Sequence, residues 1–241
     1  METAMLLNDR RLLCWGLLLL LGTTVTAANG QEGEVEFAGE KKIEKPAALK
    51  KVSLFDGKDL RGWKIIEKFD FERHGKVKVK DGAIMLGVGA PASGITIDPK
   101  IHSFPRSNYE VTLEAKRTQG DDFFCGITFP VDKAYCTLVL GGWGGGTVGL
   151  SNIDNAAADE NETTNYINFK KDKWYKIRLR VTDKAINVWV DKEHLIELDR
   201  KKHKFSIWWE QEPVRPFGFA SWYTAAAYRN IQLQRLKKEA N

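Results

Sequence analysis

From Val52 onward, apolar and polar residues alternate with a period of two in short runs, and this constrains the chain more than any other feature. Tyr109, Val111, Leu113 and Ala115 interleave with Glu110, Thr112, Glu114 and Lys116. Ile177, Leu179 and Val181 interleave with Lys176, Arg178 and Arg180. Ile186, Val188 and Val190 do so with Asn187 and Trp189, and Ile231 and Leu233 with Gln232 and Gln234. Successive side chains of an extended strand point to opposite faces, so each run is a strand with one face inward. Asp81-Gly82, Gly89-Ala90-Pro91, Asp183-Lys184 and Asp191-Lys192 punctuate the runs with turn chemistry. No long amphipathic helix interrupts them. Many short strands at regular spacing predict an all-β fold, a two-sheet antiparallel β-sandwich of the jelly-roll type.

The N-terminal stretch follows a different logic. Arg10 and Arg11 precede an apolar run from Leu12 to Leu21, and small residues follow through Ala27 and Ala28. A basic end, a short apolar core and a small-residue site are the parts of a secretory signal. The run has ten residues, whereas a spanning helix needs about 20. Residues 1–28 are therefore expected to be a cleaved signal peptide and the mature chain to be secreted or periplasmic, with no transmembrane segment. Residues 29–51 are rich in Glu and Lys and poor in large apolar side chains. Such a stretch buries too little surface to offset its ordering entropy and reads as a linker. The sandwich is then expected over 52–236, followed by a basic tail at 237–241.

About 210 residues remain after the signal, a size that β-sandwiches reach as one domain, and the 43% apolar content suffices for a core. The net charge of +5 is mild. Two basic clusters, Arg200–Lys204 and Arg235–Lys238, lack a nucleic-acid-binding fold around them and read as solvated loop and terminus. Cys14 leaves with the signal, so Cys125 and Cys136 remain, flanking a hairpin. With its turn centred on Pro130 and Val131 they face each other; one residue later they do not. Either a disulfide or two buried thiols follows. His74, His102, His194 and His203 have no metal-ligand spacing and read as surface residues. The acidic stretch from Asp154 to Glu162 lacks EF-hand spacing and reads as a flexible solvated loop, and Asn161-Glu162-Thr163 matches a glycosylation sequon. No motif calls for a cofactor, and the sequence leaves a divalent metal open.

The candidate functional residues are aromatic and acidic. Trp143 stands in a glycine-rich loop (Gly141–Gly146), Trp208 and Trp209 are adjacent, and Trp222 and Tyr223 lie near the end. Sugar rings present C–H faces that stack on flat aromatic surfaces, so clustered Trp suggests a carbohydrate groove; ordinary core packing is the competing reading. Adjacent Trp on a strand point oppositely, which assigns at least one of Trp208 and Trp209 to the core. The glycine loop runs into a strand-like segment and is no phosphate cradle. Glu110 and Glu114 face away from the inward set, as do Arg178 and Arg180. They form either cross-strand ion pairs or, for Glu114 and Arg178, part of a catalytic groove. Asp121, Asp122 and Glu210 are further acid–base candidates because each lies beside aromatics. Glycosidic hydrolysis takes two carboxylates about 5–10 Å apart.

Several stretches together resemble the 3-keto-disaccharide hydrolase domain family, a group of bacterial concanavalin A-like jelly rolls. The opening Ser53-Leu54-Phe55-Asp56-Gly57-Lys58-Asp59-Leu60-Arg61-Gly62-Trp63 is similar to its signature. Val79–Ile84, Asn108–Glu114, Lys173–Ile177 with Ile186–Asp191, and Pro216–Phe219 with Tyr228–Ile231 resemble its later motifs in the same order. The resemblance covers residues 52–236 and implies a carbohydrate-active hydrolase or lyase whose partner is an oxidised glycoside, a 3-keto sugar. At Gly120–Phe124, Tyr135–Gly141 and Ser221–Ala225 the chain departs from the family pattern: a histidine is absent and a polar middle strand is apolar. Those departures motivate the alternative of a non-catalytic, lectin-like module with the same fold.

Overall fold

The structure, a computed structural model, describes residues 48–238. The expected signal and most of the expected linker lie outside them. The last residues of that linker do not: Ala48–Ser53 forms strand β1 and pairs with the end of the chain, so regular structure begins before residue 52. The remaining strands are β2 (Trp63–Ile65), β3 (Val77–Lys80), β4 (Ala83–Leu86), β5 (Ala92–Ile97), β6 (Tyr109–Gln119), β7 (Cys125–Val131) and β8 (Ala134–Gly142). They continue with β9 (Thr147–Ser151), β10 (Asn165–Tyr166), β11 (Tyr175–Val181), β12 (Ala185–Val190), β13 (Glu193–Asp199), β14 (Gly218–Trp222) and β15 (Ala225–Leu236). Short 3₁₀ turns occupy Phe69–Phe71, Arg200–Lys202 and Trp209–Val214.

Two antiparallel sheets result. The first runs β13-β12-β11-β6-β15-β4-β3, with β1 also on β15; the second runs β10-β9-β8-β7-β14-β5-β2. The chain is the jelly-roll sandwich that the alternation predicts. Inward residues of β6, β11 and β12 (Val111, Leu113, Leu179, Val188) meet inward residues of β7, β8 and β14 (Ile127, Phe129, Leu138, Phe219) in one core. Two tyrosines pin the layers: Tyr109 donates its hydroxyl to the Pro130 carbonyl and Tyr228 to the Phe124 carbonyl, both at 2.6 Å. Burial holds both phenols well above their usual pKa, so they remain donors.

The opening signature is a folding device. Leu54 and Phe55 enter the core, and the Trp63 indole N–H donates to the Leu54 carbonyl at 2.8 Å. Asp56 accepts from the Lys58 backbone N–H, closing the turn, while Gly57 takes a positive φ that other residues resist. Trp63 then stacks on Phe219, which stacks on Tyr228.

The structure decides between the two cysteine alternatives and changes three other local readings. The β7–β8 turn falls at Asp132-Lys133, which pairs Cys125 with Leu140 and Cys136 with Phe129. The cysteines are free, buried thiols on neighbouring strands. The Asp154–Glu162 stretch is packed and not a flexible solvated loop. Ala157 and Ala158 are buried, and the Asn161 side-chain amide donates to the carbonyls of Leu150, Ala156 and Ala157. The same Asn161 accepts from Thr163, so the sequon is folded inward. Arg200 is likewise not solvated: it donates to Ser107 and to the Thr182 carbonyl and lies near Asp132 and Asp183. His203, expected at the surface, is wedged between Asp154 and Glu162 at 2.7 and 3.1 Å. Among the described residues no helix is long and apolar enough to cross a membrane.

Candidate functional site

The second sheet is buried on both sides. Inward Cys125, Ile127 and Phe129 leave Gly126, Thr128 and Pro130 on its outer face, and these are buried too. What covers them differs along the sheet. At one end Ile66, Phe71, Ala92, Val214 and Ala220 form a small second core at the 3₁₀ turns Phe69–Phe71 and Trp209–Val214. Beyond it lies a pocket of about 290 Å³. Phe123, Trp143, Trp208 and Trp222 wall it, Thr137, Val139 and Ser151 of β8 and β9 line it from the sheet, and Glu210 and Gln211 enter from the last 3₁₀ turn.

Each wall has a local cause. Trp143 tops a loop in which Gly141, Gly144 and Gly145 all take positive φ. A Cβ at Gly145 would stand 2.7 Å from an Arg117 guanidinium nitrogen and 2.8 Å from the Asp121 carbonyl, so glycine is required there. Arg117, inward at the end of β6, donates to the Gly145 carbonyl at 2.6 Å and lies over the Phe124 ring. Trp222 stacks on Phe123 at 6.1 Å between ring centres, and Tyr223 meets Trp222 edge-on.

The polar groups are sparse. Thr128 and Thr137 share a hydrogen bond at 3.0 Å, with the Gln211 amide oxygen 3.5 Å from Thr128. Glu210 is the carboxylate of the lining, and its Oε2 is shielded from water without a hydrogen-bond partner. Asp122 sits beside the pocket and accepts from the Phe123 N–H at 2.6 Å. Burial, with the neighbouring Asp121 charge, raises the Asp122 carboxyl above its usual range, against the lowering pull of the Phe123 N–H, Arg117 and the Trp143 N–H. Burial in turn lowers Arg117, while Asp121 and Asp122 oppose that shift.

The structure thus gathers Trp143, Trp208, Trp222 and Glu210 in one place and sets Tyr223, Asp121 and Asp122 at its margin. Trp209 does not line the pocket; it is exposed and meets Phe69 edge-on. Neither member of the Trp208–Trp209 pair belongs to the core, because the segment is a 3₁₀ turn and strand alternation does not apply. Glu114 and Arg178 are absent from this pocket. Both lie on the outer face of the first sheet, where Arg229 holds Glu114 with two contacts of 2.7 Å and Arg178 lies over the Trp189 ring. Phe123, Thr137 and Gln211 were not anticipated. Thr137 has a sequence signal only in the departure from the family pattern at Tyr135–Gly141, whereas Gln211 has none. Among the described residues no group of three or more His, Cys, Asp or Glu side chains is placed to hold a metal ion.

Two solved structures share the architecture. A protein of unknown function with a galectin-like fold from Bacillus subtilis is 12% identical over 81% of this chain and 99% of its own, with a TM-score of 0.52. A Crh5 transglycosylase solved with NAG is 13% identical over 81% and 87%, also with a TM-score of 0.52. At these identities the likeness is one of fold. A comparison with curated proteins finds no match. The model of the 3-keto-alpha-glucoside-1,2-lyase-like domain matches residues 50–234, nearly the whole described sandwich. The chain therefore belongs to that family, as a carbohydrate-active jelly-roll domain.

Proposed function

We propose that the aromatic pocket binds the oxidised ring of a 3-keto glycoside and that Glu210 removes its C2 proton. One observation carries this reading: an apolar, tryptophan-walled pocket on a carbohydrate-active sandwich whose lining offers a single carboxylate. Hydrolysis by the usual route takes two carboxylates, but elimination from a 3-keto sugar takes one base. The C3 ketone acidifies the C2–H bond, so its proton passes to the Glu210 carboxylate. The electron pair left on C2 forms the C1=C2 double bond, and the bond from C1 to the glycosidic oxygen breaks. Protonated Glu210 can return that proton to the departing oxygen, which leaves as an alcohol. The hydroxyls of Thr137 and Ser151 and the Gln211 amide are the pocket's neutral groups for ring oxygens. Indole faces of Trp143, Trp208 and Trp222 supply stacking area. The same chain is proposed to work outside the cytoplasm, with cleavage near Ala27 or Ala28. N-terminal sequencing of the mature protein checks this, and an intact Met1 refutes it.

The test is incubation with a 3-keto disaccharide, followed by NMR. The expected products are an unsaturated keto sugar and the free second sugar, with Glu210→Gln slower by about 10²–10⁴-fold. Full activity in that variant sinks the assignment. Binding without turnover in both proteins favours the second reading, a lectin-like module, which draws support from the altered segments Gly120–Phe124 and Ser221–Ala225 beside the pocket.

A further inference from the structure

The outer face of the first sheet carries a second concavity, of about 630 Å³, on the opposite side of the sandwich from the aromatic pocket. Its floor is a row of register partners across four strands: Trp189 of β12, Arg178 of β11, Thr112 of β6 and Gln232 of β15. Lys51, Lys176 and Lys192 stand around that row. The acids here are committed. Glu114 is held by Arg229, and Asp191 lies 3.6 Å from Lys173 and accepts from the Lys176 backbone N–H. The cations at the centre are not: Arg178, Lys51, Lys176 and Lys192 line the concavity without an ion pair to a carboxylate within 4 Å among the described residues, Glu110 acting on Arg178 only at longer range.

Arg178 is the most organised of them. Its guanidinium lies 3.7 Å from the centre of the Trp189 ring, which also has the Arg180 guanidinium at 5.3 Å and the His194 ring stacked at 4.6 Å. The plane of the guanidinium is therefore fixed while its N–H donors make no hydrogen bond among the described residues. Burial lowers its pKa from the arginine value, with Glu110 opposing, which marks a desolvated cation. The concavity continues across Lys176, Asp191 and Lys192 into a neighbouring one of about 580 Å³, to which Lys170 and Lys173 contribute. The joint lining sets Arg178 and five lysines against Glu114, Asp191 and Glu193, a strip with a net excess of positive charge, with Thr112, Asn230 and Gln232 available to hydroxyl groups.

We propose that this strip is a second carbohydrate site, for an acidic polysaccharide whose carboxylate or sulfate groups pair with Arg178 and the surrounding lysines. Planar guanidinium donors match the two oxygens of such an anion. The occupant is a glycan and not a nucleic acid, because the ring that could stack on a base, Trp189, is already sandwiched between Arg178 and His194. Such a site would hold the domain on an anionic polymer while the aromatic pocket works on the other face.

The experiment is affinity electrophoresis of the whole chain through gels containing polygalacturonate, dextran sulfate, neutral dextran or single-stranded DNA. Retardation in polygalacturonate or in dextran sulfate identifies the anion as carboxylate or sulfate. The Arg178→Gln/Lys176→Gln variant is expected to weaken that binding about tenfold or more, the loss of a charge-assisted contact. Lys51→Gln/Lys192→Gln alters exposed side chains and keeps the test valid if the first variant folds poorly; a severalfold loss is expected there. Lys201→Gln/Lys202→Gln removes equal charge elsewhere and should change nothing. No retardation in either acidic gel overturns the proposal, as does equal retardation by neutral dextran or DNA. Equal loss in the Lys201/Lys202 control overturns it too. Turnover at Glu210 is read in the same variants and is expected to be unchanged, so the two readings fail separately.

Discussion

The two outer faces of the sandwich solve the same problem with opposite chemistry. On the first sheet, many outward side chains are charged, and some pair across strands, Arg180 with Glu110 at 2.7 Å and Arg229 with Glu114, while Arg178 lies over Trp189 among lysines without an ion pair. On the second, outward residues are small or apolar and are covered by turns and by the clamped Asp154–Glu162 stretch. A charged face needs no apolar cover, since its pairs and its free cations are both compatible with water. A covered apolar face leaves a pocket wherever its cover is incomplete. A dry, walled pocket therefore forms on the second sheet.

Disrupting the charged face should have the largest effect. Glu110 and Arg180 are both nearly inaccessible, so Glu110→Ala strands a buried guanidinium and should cost about 3–5 kcal/mol in urea unfolding. Replacing both residues by leucine should cost far less, which distinguishes a lost partner from lost packing. On the covered face, Asn161→Ala leaves inward carbonyls without their donor and should cost about 2–3 kcal/mol. Proteolysis within 154–164 should accelerate in parallel.

Subtler tests separate pocket from surface. Trp208→Ala should weaken sugar binding about tenfold, read by titration calorimetry, with stability within about 0.5 kcal/mol. Trp209→Ala, outside the pocket, should leave affinity unchanged. The smallest effect is a pH dependence. Asp122 has a raised folded-state pKa, so its neutral form favours the fold, and that contribution is lost as pH rises from the ordinary value of 3.8 through the folded one. Asp183 is lowered by side-chain hydrogen bonds from Asn108 and Ser107, so its contribution is lost as pH falls below 3.8. Asp122→Asn should therefore gain on the wild type towards neutral pH, while Asp183→Asn should lose. Denaturation midpoints across pH 3–7 check both directions.

The same contrast explains what could be read from the residues alone. Strands β6, β11 and β15 face water along much of one side, so alternation spells them out, and it sets Glu114 and Arg178 outward. Strand β12 alternates as well, with Asn187 and Trp189 covered by neighbouring side chains. It does not say which outer surface is the groove. Strands β7, β8 and β9 are buried on both sides, so their pattern is continuous and their outer face is invisible in sequence. The pocket is assembled from loops far apart in the chain, with Trp143, Trp208 and Trp222 meeting only after the sheets stack. Glu210 could be named because it adjoins Trp209, but its unpartnered Oε2 depends on the 3₁₀ turn that carries it.

The two cysteines give the second sheet a built-in reporter. Lodged on β7 and β8 and offset in register, they cannot staple the domain even in an oxidising compartment, and its stability owes nothing to redox conditions. Burial keeps both thiols protonated and hence unreactive. A thiol reagent would modify them only when those strands part. Labelling rate then becomes a stopwatch for opening of the sheet beneath the aromatic pocket, with no engineered probe.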